Sequence, residues 1–264
     1  MMNKYYNRFF LIFFFSFFTV TQYSSAQNRD TTFNANLNND NILDILKISY
    51  IEDATQTDAM GCYEININGI KLIDSTNANP DFIVELNDID TSDVFQEVFV
   101  KNGFDEYSDY NIYRFNGKNI FNLGNISGVG EFIIRGDGKI GAEDWMGFWL
   151  LDYDYVFNQR TGKMDEIKKD LYDIKMSEEE YERPIIVDIP FAVYTERVEN
   201  ASEKFKTKEG EKIKILKAYI KSICPDNENS GLCHWYLIEN SNGVQGWVML
   251  RDFMDKVKGI PWAG

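Results

Sequence analysis

Histidine is nearly absent from this chain: its 264 residues include one, His234, and only three cysteines. That scarcity narrows the possible chemistry. A Ser-His-Asp or Cys-His mechanism needs a nucleophile held against a base. Cys233 is next to His234, so in a strand the two side chains face opposite sides. Cys62 is far away in sequence. A zinc site is poorly supplied by one His and so few thiols. Positive charge is also short, with 27 Lys and Arg against 42 Asp and Glu and a net charge of -15. Phosphate backbones are bound by clustered Lys and Arg, so nucleic acid is excluded as a partner. An anionic membrane surface is disfavoured for the same reason. Beyond the first residues no stretch reaches the roughly 18 apolar residues that a bilayer span requires, and little of the chain has helical period.

The one long apolar run opens the chain. Lys4 and Arg8 precede it, it extends from Phe9 to Val20, and the small residues Ser24, Ser25 and Ala26 follow. This order predicts a secretory signal peptide over residues 1–26, cleaved before Gln27. The alternative, an uncleaved anchor, is disfavoured because Ser16, Thr19, Thr21 and Gln22 interrupt the run. The expected location is secreted, periplasmic or on the cell surface, with no membrane contact after cleavage. In such an oxidising compartment Cys224 and Cys233, which flank the loop PDNENSGL, are expected to close a hairpin as a disulfide. Cys62 is then left as a buried thiol.

The remaining chain alternates apolar and polar residues over short runs, such as Leu43 to Tyr50, Phe82 to Leu86 and Asn111 to Phe115. Asn-Gly and Asp-Gly steps separate them at Asn68-Gly69, Asn102-Gly103, Asn116-Gly117, Asp137-Gly138 and Asn242-Gly243. Both residues of such steps tolerate positive φ, so antiparallel hairpins are expected throughout. A charged stretch from Met176 to Pro184 interrupts the pattern and predicts a linker or short helix over 177–186.

The segment Asn36 to Asp44 places side-chain oxygens at Asn36, Asn38, Asp40 and Asp44. A tight loop with that spacing folds its oxygens toward one point and suits Ca²⁺, which takes six to eight hard oxygen ligands. The alternative is an Asn/Asp-rich turn without metal. Two later segments, Asp88 to Asp93 and Gly136 to Ile140, repeat the order strand, acidic turn, strand at intervals of roughly fifty residues. The first loop resembles the Asp-x-Asn-x-Asp-Gly-x-x-Asp signature of FG-GAP and VCBS repeats, which are similar to integrin-type propeller blades. Asn36 and Asn41 depart from that signature. The resemblance implies that Asn36, Asn38, Asp40 and Asp44 supply calcium ligands, with the carbonyl of Ile42. Arg135-Gly136-Asp137 spells an RGD tripeptide, whose plain reading is a hairpin turn.

The C-terminal segment has another pattern. Glu209-Gly210-Glu211, Trp235 to Ile238 and Gly246-Trp247-Val248 follow in order and resemble the elements of a bacterial Src-homology-3-like domain. That resemblance implies a small β-barrel that binds cell-wall peptides or other extracellular ligands, with Tyr194, Trp235, Tyr236 and Trp247 as the aromatic candidates for its groove. Trp235 and Tyr236 are adjacent in a strand and so face opposite sides.

The expected architecture is therefore all-β. A β-meander or partial propeller-like repeat domain occupies 27–176 and a small Src-homology-3-like barrel with its tail occupies 187–264. The expected function is non-catalytic binding of a cell-wall peptide or an extracellular protein. The competing expectation is a carbohydrate-active hydrolase using an Asp/Glu pair, with Asp152 and Asp154 the first place to look.

Overall fold

A computed structural model describes residues 30–52, 61–75, 78–102, 107–174, 184–198, 200–220 and 231–260. The predicted export signal, most of the predicted linker, and Cys224 lie outside the described residues. Among the described residues no helix is long and apolar enough to cross a membrane.

Four antiparallel sheets follow one another along the chain. The first contains β1 (Asp30–Ala35), β2 (Asp44–Glu52), β3 (Gly61–Ile67) and β4 (Ile70–Asp74), in sequence order. The second contains β5 (Phe82–Asn87), β6 (Glu97–Asn102), β7 (Tyr107–Phe115) and β8 (Ile120–Val129), again in order. The third contains β9 (Ile133–Ile134), β10 (Lys139–Trp145), β11 (Leu150–Asn158) and β12 (Lys163–Ile167). The hairpin chemistry read from sequence is visible between β3 and β4. There Asn68 and Gly69 have φ of 52° and 88°, the doubly positive pair that matches the twist of two joined strands.

The fourth sheet draws on eight strands. They are β13 (Tyr172–Asp173), β14 (Ile185–Val187), β15 (Ala192–Tyr194), β16 (Glu203–Lys206), β17 (Lys212–Tyr219), β18 (Trp235–Asn240), β19 (Gln245–Met249) and β20 (Val257–Lys258). The path runs β16-β15-β19-β18-β17-β14-β20, with β13 paired to β17. A helical turn, Leu250–Phe253, follows β19 and buries Leu250 and Phe253.

The sheets stack face to face through three cores. In β2 the alternation puts Leu46, Ile48 and Tyr50 inward and leaves Ile45, Lys47 and Ile51 exposed. The inward set, with Tyr63 and Ile65 of β3, packs on Val98, Val100, Tyr113 and Phe115 of the second sheet. The other face of that second sheet, through Phe99, Tyr110 and Ile112, packs on Ile140 and Met164 of the third. The third sheet in turn packs Leu151 and Tyr153 on Ile213, Tyr236, Ile238 and Val248 of the fourth, joined by Phe148 and Trp149 of the β10–β11 turn. A sheet covered on both faces has no polar side, so Val98, Phe99 and Val100 form an unbroken buried run in β6.

Two expectations are corrected here. Among the described residues no partial propeller and no Src-homology-3-like barrel is formed: the four sheets are separate and none closes. The last sheet ends at β16 and β20, which do not pair with each other. Its outer elements are short, three residues in β14 and two in β20, too little ladder to close a barrel. The three N-terminal sheets are fewer than the four to eight blades of an ordinary propeller. The third sheet is covered by the fourth, instead of meeting a further blade. Of the expected Cys224–Cys233 bridge, Cys224 lies outside the described residues, and Cys233 is disulfide-bonded. No disulfide joins two described cysteines; Cys62 is a free thiol, half-buried on β3, and Cys233 lies buried just before β18.

Candidate ligand-binding face

The acidic turns occupy equivalent places. Asn36 to Leu43 joins the first two strands of the first sheet, Asp88 to Gln96 those of the second, and Arg135 to Gly138 those of the third. Their first task is to interlock the sheets. The amide of Gln96 donates to the carbonyl of Leu37 at 3.0 Å, the amide of Thr91 to Gly136 at 3.0 Å, and the amide of Gly138 to Ile89 at 2.8 Å. The first two loops share a second device. Asp44, buried at the start of β2, accepts the Leu37 amide at 3.0 Å; Glu97, buried at the start of β6, accepts the Ile89 amide at 3.0 Å.

The candidate calcium loop is largely self-satisfied. Asp44 Oδ1 accepts the Asn68 side-chain amide at 2.6 Å, which ties the loop to the β3–β4 turn. Asp40 accepts the Ile42 amide at 2.9 Å through one oxygen and the Asn38 side-chain amide at 3.1 Å through the other. Asn39 and Asn41 adopt φ of 54° and 63°, the left-handed conformation that Asn tolerates better than most residues. One oxygen stands apart: Asn36 Oδ1 is buried and has no hydrogen-bond partner among the described residues. Asp88 Oδ1, at the equivalent place in the second loop, is in the same state. Among the described residues no group of three or more His, Cys, Asp or Glu is gathered to hold a metal. The donor set of the first loop thus offers a hard cation one uncommitted buried oxygen.

The RGD tripeptide is used internally. Arg135 Nη1 is 2.5 Å from Asp154 Oδ1, the Gly136 carbonyl accepts from Thr91, and Asp137 Oδ1 accepts the Lys139 amide at 3.2 Å. The same ion pair engages Asp154 of the strand singled out for a hydrolase, while Asp152 lies opposite Glu143 in β10. His234 is buried beside β18, and burial lowers its pKa.

The aromatic candidates divide between the two faces of the fourth sheet. Tyr236 points into the shared core, fully buried, and its hydroxyl oxygen accepts from Trp149 Nε1 at 3.4 Å. Burial pushes its phenol up to about 12. The opposite face gathers the rest. Trp235 is 3% exposed and meets Tyr194 edge-on, with ring centroids 6.3 Å apart. Tyr194 is in register with Trp247, and Trp247 with Leu237. Tyr194 and Trp247 remain half-buried.

Two members of this face were not singled out from sequence. Tyr219 is in register with Trp235 and half-buried. Arg197 lies over both Tyr219 and Trp247, its guanidinium carbon 4.5 Å and 5.6 Å from the two ring centroids. Arg197 Nη1 is buried and has no hydrogen-bond partner among the described residues. A signal for Tyr219 was present in the run Lys212–Tyr219, but a register shift between Ile215 and Lys217 hides it. Strict alternation from Ile213 and Ile215 puts Lys217 and Tyr219 in the core; the shift turns them outward and sends Ala218 in.

Charge is segregated along the chain. Residues 27–183 carry 14 Lys and Arg against 31 Asp and Glu, whereas residues 184–264 carry 11 against 11. The excess acidity thus lies within residues 27–183, and the aromatic face sits on a segment with no net charge.

No family, curated protein or solved structure matches the chain. The resemblances to FG-GAP or VCBS repeats and to Src-homology-3-like domains are accordingly withdrawn, since neither a family match nor a closed sheet supports them.

Proposed function

We propose that the chain is an exported, non-catalytic binding protein and that its contact surface is the outer aromatic face of the fourth sheet, with a cell-wall peptide as ligand. One observation carries the reading: Tyr194, Tyr219 and Trp247 stand half-exposed together on the face opposite the core, while Tyr236 of the same sheet is spent on packing. Aromatic rings offer large contact area for few rotatable bonds, and such residues dominate binding energy where they cluster. The apolar run over residues 9–20 supplies the export half of the reading.

The test is co-sedimentation of the exported chain with purified peptidoglycan. Retention that Trp247→Ala abolishes supports the reading. Absence of retention removes the cell-wall ligand and leaves an extracellular protein as the partner to seek. A second reading, Ca²⁺ at the β1–β2 loop, rests on the buried and unpartnered Asn36 Oδ1. Asn36, Asn38, Asp40, Asp44 and the Ile42 carbonyl would hold the ion, and its role there would be to brace the loop.

A further inference from the structure

We infer that the ligand of this face presents a free carboxylate and that Arg197 receives it. The inference rests on the reading of the aromatic face as a binding surface and names what that surface selects. Guanidinium carries five N–H donors in a rigid plane and cannot discharge itself by losing a proton. A buried donor left without an acceptor is costly and rare in a folded protein. Arg197 Nη1 is such a donor, and it lies among the rings of the face and not in a hydrophobic core.

The surroundings hold the group ready. Tyr219 and Trp247 both lie within cation–π range of the guanidinium, so the arginine is positioned before a ligand arrives. A neighbouring cation in register on this face, Lys217, is already committed: its Nζ is 2.7 Å from Asp173 Oδ1. Arginine's planar fork matches a carboxylate, and the charge makes the hydrogen bond a strong one. A peptide bound over Tyr194 and Trp247 would place its backbone on the rings and its carboxylate at Arg197. Acidic and basic residues are equal in number over 184–264, so the segment carries no net charge against that approach.

The experiment compares binding of the exported chain to two preparations of purified peptidoglycan, one untreated and one with its carboxyls converted to amides by carbodiimide and ammonia. Three variants are measured beside the parent chain: Arg197→Gln, Arg197→Lys and Trp247→Ala, each checked for a parental melting transition. The parent chain should bind the amidated material about tenfold more weakly, the size expected for a charge-assisted hydrogen bond. Arg197→Gln should bind both preparations equally and weakly. Arg197→Lys keeps the charge and should keep part of the preference, which separates a binding role from a folding one. Trp247→Ala should weaken both while the preference persists. N-acetyl-Ala-Ala, with its C-terminus free or amidated, then serves as competitor. Competition by the free form alone assigns a chain-terminal carboxylate, and competition by neither assigns a side-chain one. Undiminished binding to amidated peptidoglycan, with Trp247→Ala still defective, overturns the inference and leaves the face intact. No binding to either preparation overturns the reading of the face itself.

Discussion

Replacing Arg114 by Ala should destabilise the protein by about 3–5 kcal/mol near neutral pH, the cost of breaking a buried ion pair from one side. The side chain is buried in the second sheet, where Nε donates to Glu97 Oε1 at 2.7 Å. Nη2 lies 2.5 Å from the same oxygen and 3.1 Å from Asp93 Oδ2. Phe95 and Phe157 flank the guanidinium at 4.7 Å and 4.6 Å, so the arginine also bridges the β5–β6 loop to the third sheet. Glu97 is 0% exposed and accepts the Ile89 amide, so alanine at 114 leaves a buried carboxylate without its cation. For a chain of this size such a loss lowers the melting midpoint by roughly 6–20 °C.

The penalty should depend on pH with a definite sign. Burial already pushes the Glu97 carboxyl above its ordinary value, with Arg114 opposing the shift. Removing Arg114 raises it further. A carboxyl whose folded pKa exceeds the unfolded one contributes its stabilising share at low pH and loses it as pH rises through the folded value. The variant should therefore lose less stability near pH 4.5 than near pH 7, because a protonated Glu97 needs no cation. Urea unfolding at the two pH values measures both quantities. The double variant Glu97→Gln, Arg114→Met should recover part of the loss, since a neutral amide oxygen can still accept the Ile89 amide and needs no cation. A penalty below about 1 kcal/mol for Arg114→Ala, equal at both pH values, would refute the reasoning.

Three further outcomes are expected. Tyr236→Ala should cost about 3–5 kcal/mol in urea unfolding, whereas Trp247→Ala on the half-exposed face should cost at most about 1–2; equal costs would contradict the division between the two faces. Gly128→Ala should cost about 1–3 kcal/mol, because a Cβ there would lie 2.8 Å from the Glu143 carbonyl where the second and third sheets meet; an unchanged urea midpoint would show that the sheets separate freely. If the β1–β2 loop holds calcium, millimolar Ca²⁺ should raise the melting midpoint by a few degrees. Asn36→Ala should then remove the rise, and an identical midpoint in calcium and in chelator removes that reading.

Much of the fold is legible along the chain because its signals are local. Alternation in Leu43 to Tyr50 announces β2, and Asn68-Gly69 announces its own turn. What is not legible depends on partners distant in sequence. The run Val98-Phe99-Val100 is buried on both sides because sheets lie on both sides of it, and one strand cannot report what covers it. The acidic turns are visible as a repeat, yet their hydrogen bonds to one another follow from sheet stacking, which spacing does not encode. Closure was misjudged for a similar reason: short outer strands such as β14 and β20 give weak sequence signals, and their shortness is what leaves the last sheet open. At the candidate site, Tyr194, Trp235 and Trp247 were legible as aromatic strand residues. Tyr219 was hidden by the register shift between Ile215 and Lys217, and Arg197 by its place in an irregular loop after β15.

The most direct test of the proposed binding face is oxidative footprinting of the chain, alone and with solubilised peptidoglycan fragments. Tyr194, Tyr219 and Trp247 should be protected, with Tyr107 and Phe121, exposed on the second sheet, oxidised equally in both samples. Protection confined to the N-terminal sheets, with Trp247 oxidised as fast in the presence of the fragments as in their absence, would contradict the proposed binding face.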